Sequence, residues 1–124
     1  MAADVVFLDD DEDLRDLFRE AMSLFVHRSC LCVASFAELA QSRDAVLGAK
    51  LAVLDINLGP DGPSGIDAYR WLRTQGFDGR VAFLTGHAST HPLVAEAKRM
   101  NDVEVLEKPL PIATIIALAG GAPT

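Results

Sequence analysis

Cysteine is nearly absent from this 124-residue chain, which has only Cys30 and Cys32. That is too few for a disulfide framework, and no His or Cys follows at zinc-finger spacing. The two lie two residues apart in an apolar stretch, SCLCVA (29–34), that reads as a strand with both thiols on one face. Neighbours at that spacing are poorly placed for a disulfide, so the expectation is a pair of buried, inert thiols. Positive charge is also scarce: 11 Lys and Arg stand against 18 Asp and Glu, a net charge of −7. The basic residues are scattered singly or in pairs such as Lys98-Arg99, which argues against direct nucleic-acid binding by this segment. No apolar run approaches the roughly 18 residues of a membrane span, so no membrane partner is expected. The amino terminus, MAADVVFLDDDED, has no basic leader and no cleavable apolar stretch, and the chain reads as cytoplasmic. No repeat, low-complexity segment or internal boundary is visible. One domain over 1–124 is expected, its tail (120–124) being a natural end or a linker stub.

Four short apolar runs, each leading into a polar signal, carry most of the information. VVFL (5–8) leads to Asp9 and Asp10, LAVL (51–54) to Asp55, VAFL (81–84) to Thr85, and VEVL (103–106) through Glu107 to Lys108-Pro109. This is how buried parallel strands look where they emerge at their carboxyl ends. From Asp55 to Thr85 and from Thr85 to Lys108 the intervals are 30 and 23 residues, each about one strand-helix-strand unit. The 45 residues from Asp10 to Asp55 leave room for two units, with SCLCVA as the extra strand. Five parallel strands alternating with five helices result, and in such a sheet ligands bind at the carboxyl edge.

The helices have their own signals. The first, over about 11–26, places Leu14, Leu17, Phe18, Ala21, Met22 and Phe25 on one expected buried face, with acidic residues at its start. Ser35 with Glu38 forms a capping-box pattern for the second, which Gly48 ends. Ser64 is a plausible cap for the third, which carries Ile66, Tyr69, Trp71 and Leu72. Pro92 opens the fourth, running to about Met100. The last, about 111–119, is apolar on nearly every side. Ile112, Ile115 and Ile116 account for one buried stripe, leaving Ala113, Ala117 and Leu118 on an outer side suited to a partner.

Asp9, Asp10 and Asp55 would repel one another at a common edge unless a cation joined them. Magnesium suits such a set, since it takes one or two carboxylates, a phosphate and several waters. Asp9–Asp13 can equally cap the first helix, Asp55 can be a turn residue, Thr85 a strand-end hydroxyl and Lys108 an exposed lysine. Their joint spacing favours one site, with Asp55 as a nucleophile that forms an acyl phosphate.

This set, Asp9-Asp10, Asp55, Thr85 and Lys108-Pro109, resembles the receiver domain of two-component response regulators over nearly the whole chain. The resemblance implies a flavodoxin-like, doubly wound α/β fold with a five-stranded parallel sheet in order 2-1-3-4-5. Asp55 would accept a phosphoryl group from a histidine kinase or phosphotransfer protein. Mg²⁺ would be bound by Asp10 and Asp55, by Asp9 through water and by the Asn57 backbone carbonyl. Thr85 and Lys108 would hold phosphoryl oxygens, and the Lys108-Pro109 peptide would be cis. Activation would shift the face made by the fourth helix, fifth strand and last helix, where a second copy or an effector would dock. The domain would signal rather than act as an enzyme.

Three departures from that pattern stand out. Val105 occupies a position that is usually aromatic. Gly59 replaces a proline, and the family's glycine is displaced to Gly65, so the loop is two residues longer. Asn57 and His87 occupy positions that influence phosphoryl lifetime. Two rival readings follow. One is a receiver-like binding module that does not cycle phosphate. The other is a haloacid-dehalogenase-type phosphatase, suggested by FLDDDED, although nothing after Lys108 supplies that family's later acidic motif.

Overall fold

A computed structural model describes residues 3–58, 62–86, 91–109 and 111–119. Five parallel strands form one sheet: β1 (Val5–Leu8), β2 (Cys30–Val33), β3 (Leu51–Asp55), β4 (Arg80–Thr85) and β5 (Val103–Glu107), in the order β2-β1-β3-β4-β5. Parallel pairing aligns Leu8 with Leu54, Asp55 with Leu84 and Thr85 with Glu107, so the polar strand ends share one edge. The expected doubly wound architecture is therefore present.

Side chains alternate across a sheet, and each apolar run accordingly splits between two cores. Val5, Phe7, Leu51, Val53, Ala82 and Leu84 face α1 (Glu12–Ala21) and α6 (Ile112–Ala119), packing on Phe18, Met22, Ile115 and Leu118. Val6, Leu8, Ala52, Leu54, Val81 and Phe83 face the other way. There they meet Leu39 of α2 (Phe36–Gln41), Val46 of α3 (Arg43–Leu47), Leu72 of α4 (Gly65–Thr74) and Val94 of α5 (Pro92–Lys98). Burying a side chain of this size contributes roughly 1.5–3 kcal/mol, so continuous apolar runs are what a sheet covered on both faces requires.

Among the described residues six α-helices stand where five were expected, because the second breaks at Ser42. That residue's N–H is shared between the Glu38 and Leu39 carbonyls, while its own carbonyl accepts from Val46. With φ −100° and ψ 22° it ends α2 and begins α3. The capping pattern before it holds in modified form. Ser35 Oγ accepts from Glu38 N, but Glu38 reaches back to Ala34 N rather than to Ser35. Ser64 caps α4 in a complete box with Asp67.

The expected buried face of the first helix needs correction. Phe18, Ala21 and Met22 are buried, but Leu17 and Phe25 are exposed. After Ala21 the chain widens into a π-helical turn (Met22–Val26), closed by left-handed His27 (φ 58°) donating to Met22 O. The wider turn changes the angular spacing of its residues, and Leu24 and Phe25 come out 56% and 53% exposed. On α6 the stripe is also revised: Ile115 and Leu118 are buried, whereas Ile112 is exposed, so the outward side is Ile112, Ala113 and Ala117. The fourth expected helix, α5, stops at Lys98, short of Met100. Cys30 and Cys32 are part-exposed rather than buried.

Candidate functional site

The site is assembled by strand register and alternation. Asp9 continues the row Val5–Phe7, Asp55 the row Leu51–Val53, and Lys108 follows Leu106 in the same parity. All three rows belong to the α1/α6 side of the sheet. Thr85 ends the opposite row after Val81 and Phe83, so it borders the site from the other layer. Asp9, Asp55 and Thr85 are buried, at 0%, 3% and 2% exposure, while Asp10 is open to solvent.

Lys108 Nζ lies 2.9 Å from Asp9 Oδ2 and 3.4 Å from Asp55 Oδ2. Buried Asp9 Oδ2 meets the ammonium at ion-pair distance and has no other hydrogen-bond partner among the described residues. Its other oxygen accepts from Asp11 N at 2.9 Å, and Asp55 Oδ1 accepts from Asn57 N at 3.4 Å. Carboxylate oxygens of Asp9, Asp10 and Asp55 all fall within 4.8 Å of one another. Hard oxygen donors in this number, one of them partnered by the ammonium alone, fit a magnesium-like cation.

Burial, then the charge of Asp9, pushes the Asp55 carboxyl up to about 7 despite the opposing pull of Lys108. Burial also pulls the Lys108 ammonium down, but contact with Asp9 and the charge of Asp55 outweigh it and leave it above its ordinary value. The Asp55 carboxyl and the Lys108 ammonium thus face one another at a buried edge. This arrangement can receive a phosphoryl group, and its negative charge surplus would be relieved by a metal.

The surroundings fix these groups in place. Lys108 N donates to Thr85 O at 2.8 Å, tying the two strand ends together, and the Lys108-Pro109 peptide is cis. Gly65 opens α4 where the helix presses on β3: a Cβ there would stand 2.1 Å from Asp55 O. That close approach explains why the displaced glycine is needed despite the longer loop. Val105 is half-buried on β5 opposite Phe83. Gly59 and His87 lie outside the described residues.

Two features escaped the sequence reading. Arg15 Nη1 donates to Asp9 O at 2.9 Å, bracing the site from α1. Tyr69 OH donates to Asp102, which Arg73 also contacts at 3.1 Å, linking α4 to the turn before β5. Neither has a local signal, since the partners of the second are about 30 residues apart and the first is a side chain reaching a carbonyl.

Comparison with known proteins bears on the fold. No family model matches the chain. The transcriptional regulatory protein FixJ of Azorhizobium caulinodans is 30% identical over 110 residues, covering 89% of this chain and 50% of that protein. The chain thus spans about half the length of that relative. Among solved structures, the receiver domain of NtrX from Brucella abortus superposes with TM-score 0.76 at 24% identity, covering 94% of each chain. The signal receiver domain of a putative LuxO repressor from Vibrio parahaemolyticus gives 0.75 at 23%, covering 97% of this chain and 91% of that one. Chemotaxis protein CheY4 of Vibrio cholerae gives 0.74 at 20%, covering 94% of each.

Proposed function

From a chain with the receiver fold of two-component response regulators, we propose that it is a phosphorylatable signalling domain whose acceptor is Asp55. The observation that carries this reading is the Lys108 ammonium, set between the buried carboxylates of Asp9 and Asp55 at the sheet's carboxyl edge. The donor is a phosphohistidine on a kinase or phosphotransfer protein. An ionised Asp55 oxygen attacks phosphorus, the P–N bond breaks, and the histidine nitrogen leaves with a proton from solvent. Lys108 holds one phosphoryl oxygen and the Thr85 hydroxyl another, countering the charge that arrives. Asp9, Asp10, Asp55 and the Asn57 carbonyl would hold Mg²⁺. When bound, this ion supplies charge neutralisation at the phosphoryl oxygens and favours ionised Asp55.

The added charge draws Thr85 inward and biases the α5–β5–α6 face, whose outward apolar residues Ile112, Ala113 and Ala117 meet an effector or a second copy. Val105 has no ring to swing, so the signal passes through the backbone after Thr85. His87 and Pro109 modulate the phosphoryl lifetime and the aim of Lys108. The domain acts in the cytoplasm and turns over no free phosphomonoester.

Acetyl phosphate with Mg²⁺ should add one phosphoryl group to wild type and none to Asp55→Asn, read by intact mass. Equal labelling of the two would remove Asp55 from the role. The melting temperature should rise with millimolar Mg²⁺, by less in Asp10→Ala, because a ligand of the folded state stabilises by mass action. A magnesium response without labelling would favour the non-cycling reading. Sedimentation with a phosphoryl mimic, repeated for Ala113→Glu, tests the docking face.

A further inference from the structure

Cys30 and Cys32 are not among the groups read as the phosphoryl site, although Cys32 Sγ reaches the Arg15 carbonyl at 3.9 Å. Their sulfurs are 3.5 Å apart on β2, an edge strand of the sheet. Both point to the α1/α6 side and pack against its core while remaining part-exposed. A disulfide wants sulfurs at about 2.05 Å and Cβ atoms about 3.8 Å apart, which an extended strand does not offer at this spacing. Chelation asks the sulfurs to move apart rather than together, since two thiolates each about 2.3 Å from one ion are about 3.8 Å apart at a tetrahedral angle and about 4.6 Å apart at the linear angle of two-coordination. Small side-chain rotations cover the difference.

The pair also indicates which ion. Among the described residues, no His, Asp or Glu joins the two thiols in a cluster of three, since the one such cluster is Asp9, Asp10 and Asp55. A structural zinc site takes four. Two soft donors alone suit Cu(I), which thiolates select. Two thiolates around a monovalent cation carry one net negative charge, and Arg19 and Arg15 of α1 stand close enough to offset it. The hydrogen bond shared with Cys30, then these guanidiniums, set the Cys32 thiol below its ordinary range against the effect of burial. The same hydrogen bond and burial push Cys30 up, so it keeps its proton until a metal displaces it.

We propose that Cys30 and Cys32 form a two-thiolate chelate for a soft monovalent cation of the Cu(I) class at the edge of β2. Binding breaks two S–H bonds, forms two S–metal bonds and releases two protons, with no change of oxidation state. Cu(I) held by a competing coloured chelator, under anaerobic reductant and with Mg²⁺ present for the carboxylates, should transfer one equivalent to the wild-type chain. Cys30→Ser and Cys32→Ser should each bind about 100-fold more weakly, because the second thiolate binds intramolecularly. An aryl arsenoxide provides a second arm: two thiols replace its oxygen, forming two As–S bonds and one water. A one-to-one adduct is expected with wild type and none with either serine variant. Copper left on the competitor, single variants as tight as wild type, or no arsenical adduct on the intact pair would each overturn the proposal. Asp55→Asn should bind copper as wild type does, which separates this test from the phosphoryl reading.

Discussion

The two sides of the sheet are built unequally. Four helices, α2 to α5, cover one side and tie it together with ring contacts, Phe36 against Trp71 and Tyr69 against Phe83, and with the Tyr69–Asp102–Arg73 cluster. Among the described residues, α1 with its π-helical turn and α6 cover the other. Yet Asp9, Asp55 and Lys108 continue rows of that thinner side, which also holds both thiols and the large apolar side chains exposed among the described residues: Leu17, Leu24, Phe25 and Ile112. Reactive groups gather where the cover is lightest, and the heavily braced side serves as the frame.

The sharpest test of this contrast removes a large side chain from each layer. Phe18 stacks on Phe7 with centroids 4.2 Å apart and planes within 5°, filling much of the space between α1 and the sheet. Phe18→Ala should cost about 3–5 kcal/mol, and Leu72→Ala on the braced side about 2–5, both read by urea unfolding. Magnesium binding should weaken only in the Phe18 variant at concentrations where both remain folded, since α1 carries Arg15 and its brace on Asp9. Equal losses of metal binding would mean that both layers position the site.

A second test uses pH. Asp55 is pushed up to about 7 in the fold, whereas an unfolded aspartate titrates near 3.9. Between those values the native state keeps a proton that the unfolded chain has released, so this residue makes stability fall as pH rises. The cost is absent below about pH 4 and complete above about pH 7. Without Mg²⁺, Asp55→Asn should therefore be more stable than wild type at pH 8, by on the order of 1–3 kcal/mol. The difference should vanish toward pH 4. A variant less stable at pH 8 would show that the Lys108 ion pair outweighs the burial of charge.

How much could be read in advance divides along the same line. Strand existence, order of appearance and the convergence of Asp9, Asp55, Thr85 and Lys108 were legible, because fully buried parallel strands are unbroken apolar runs and their polar ends mark one edge. The caps at Ser35 and Ser64 were legible because the partners lie three residues away. The break at Ser42 was not, since a shared hydrogen bond there competes with helix continuation without a Gly or Pro to announce it. The π turn was hidden for the same reason: an apolar stripe drawn at 3.6 residues per turn assigns Phe25 to the core, and one wider turn moves it out. On α6, where nearly every residue is apolar, periodicity had no contrast with which to separate Leu118 from Ile112.

On the braced side, Tyr69→Phe removes a hydroxyl that donates to Asp102 at 2.8 Å. Arg73 stays on that carboxylate, so the loss should be only about 0.5–1.5 kcal/mol, with no effect on phosphoryl labelling. A labelling defect would give the frame a direct part in the chemistry.

The smallest effect is expected at the π turn. Leu24 and Phe25 are 56% and 53% exposed, so replacing both by Gln leaves most of their contacts with the core unchanged. Exposed substitutions usually stay within about 0.5 kcal/mol each, and His27 should still close the turn through its backbone. Urea unfolding of Leu24→Gln/Phe25→Gln at low protein concentration should thus nearly overlay wild type. Repeating it at high concentration sharpens the comparison of the two sides. If wild type alone gains stability with concentration, the thinly covered side is completed by a second copy of the chain. If neither gains, two helices suffice to cover it, and the apolar groups at its end are ordinary exposed surface.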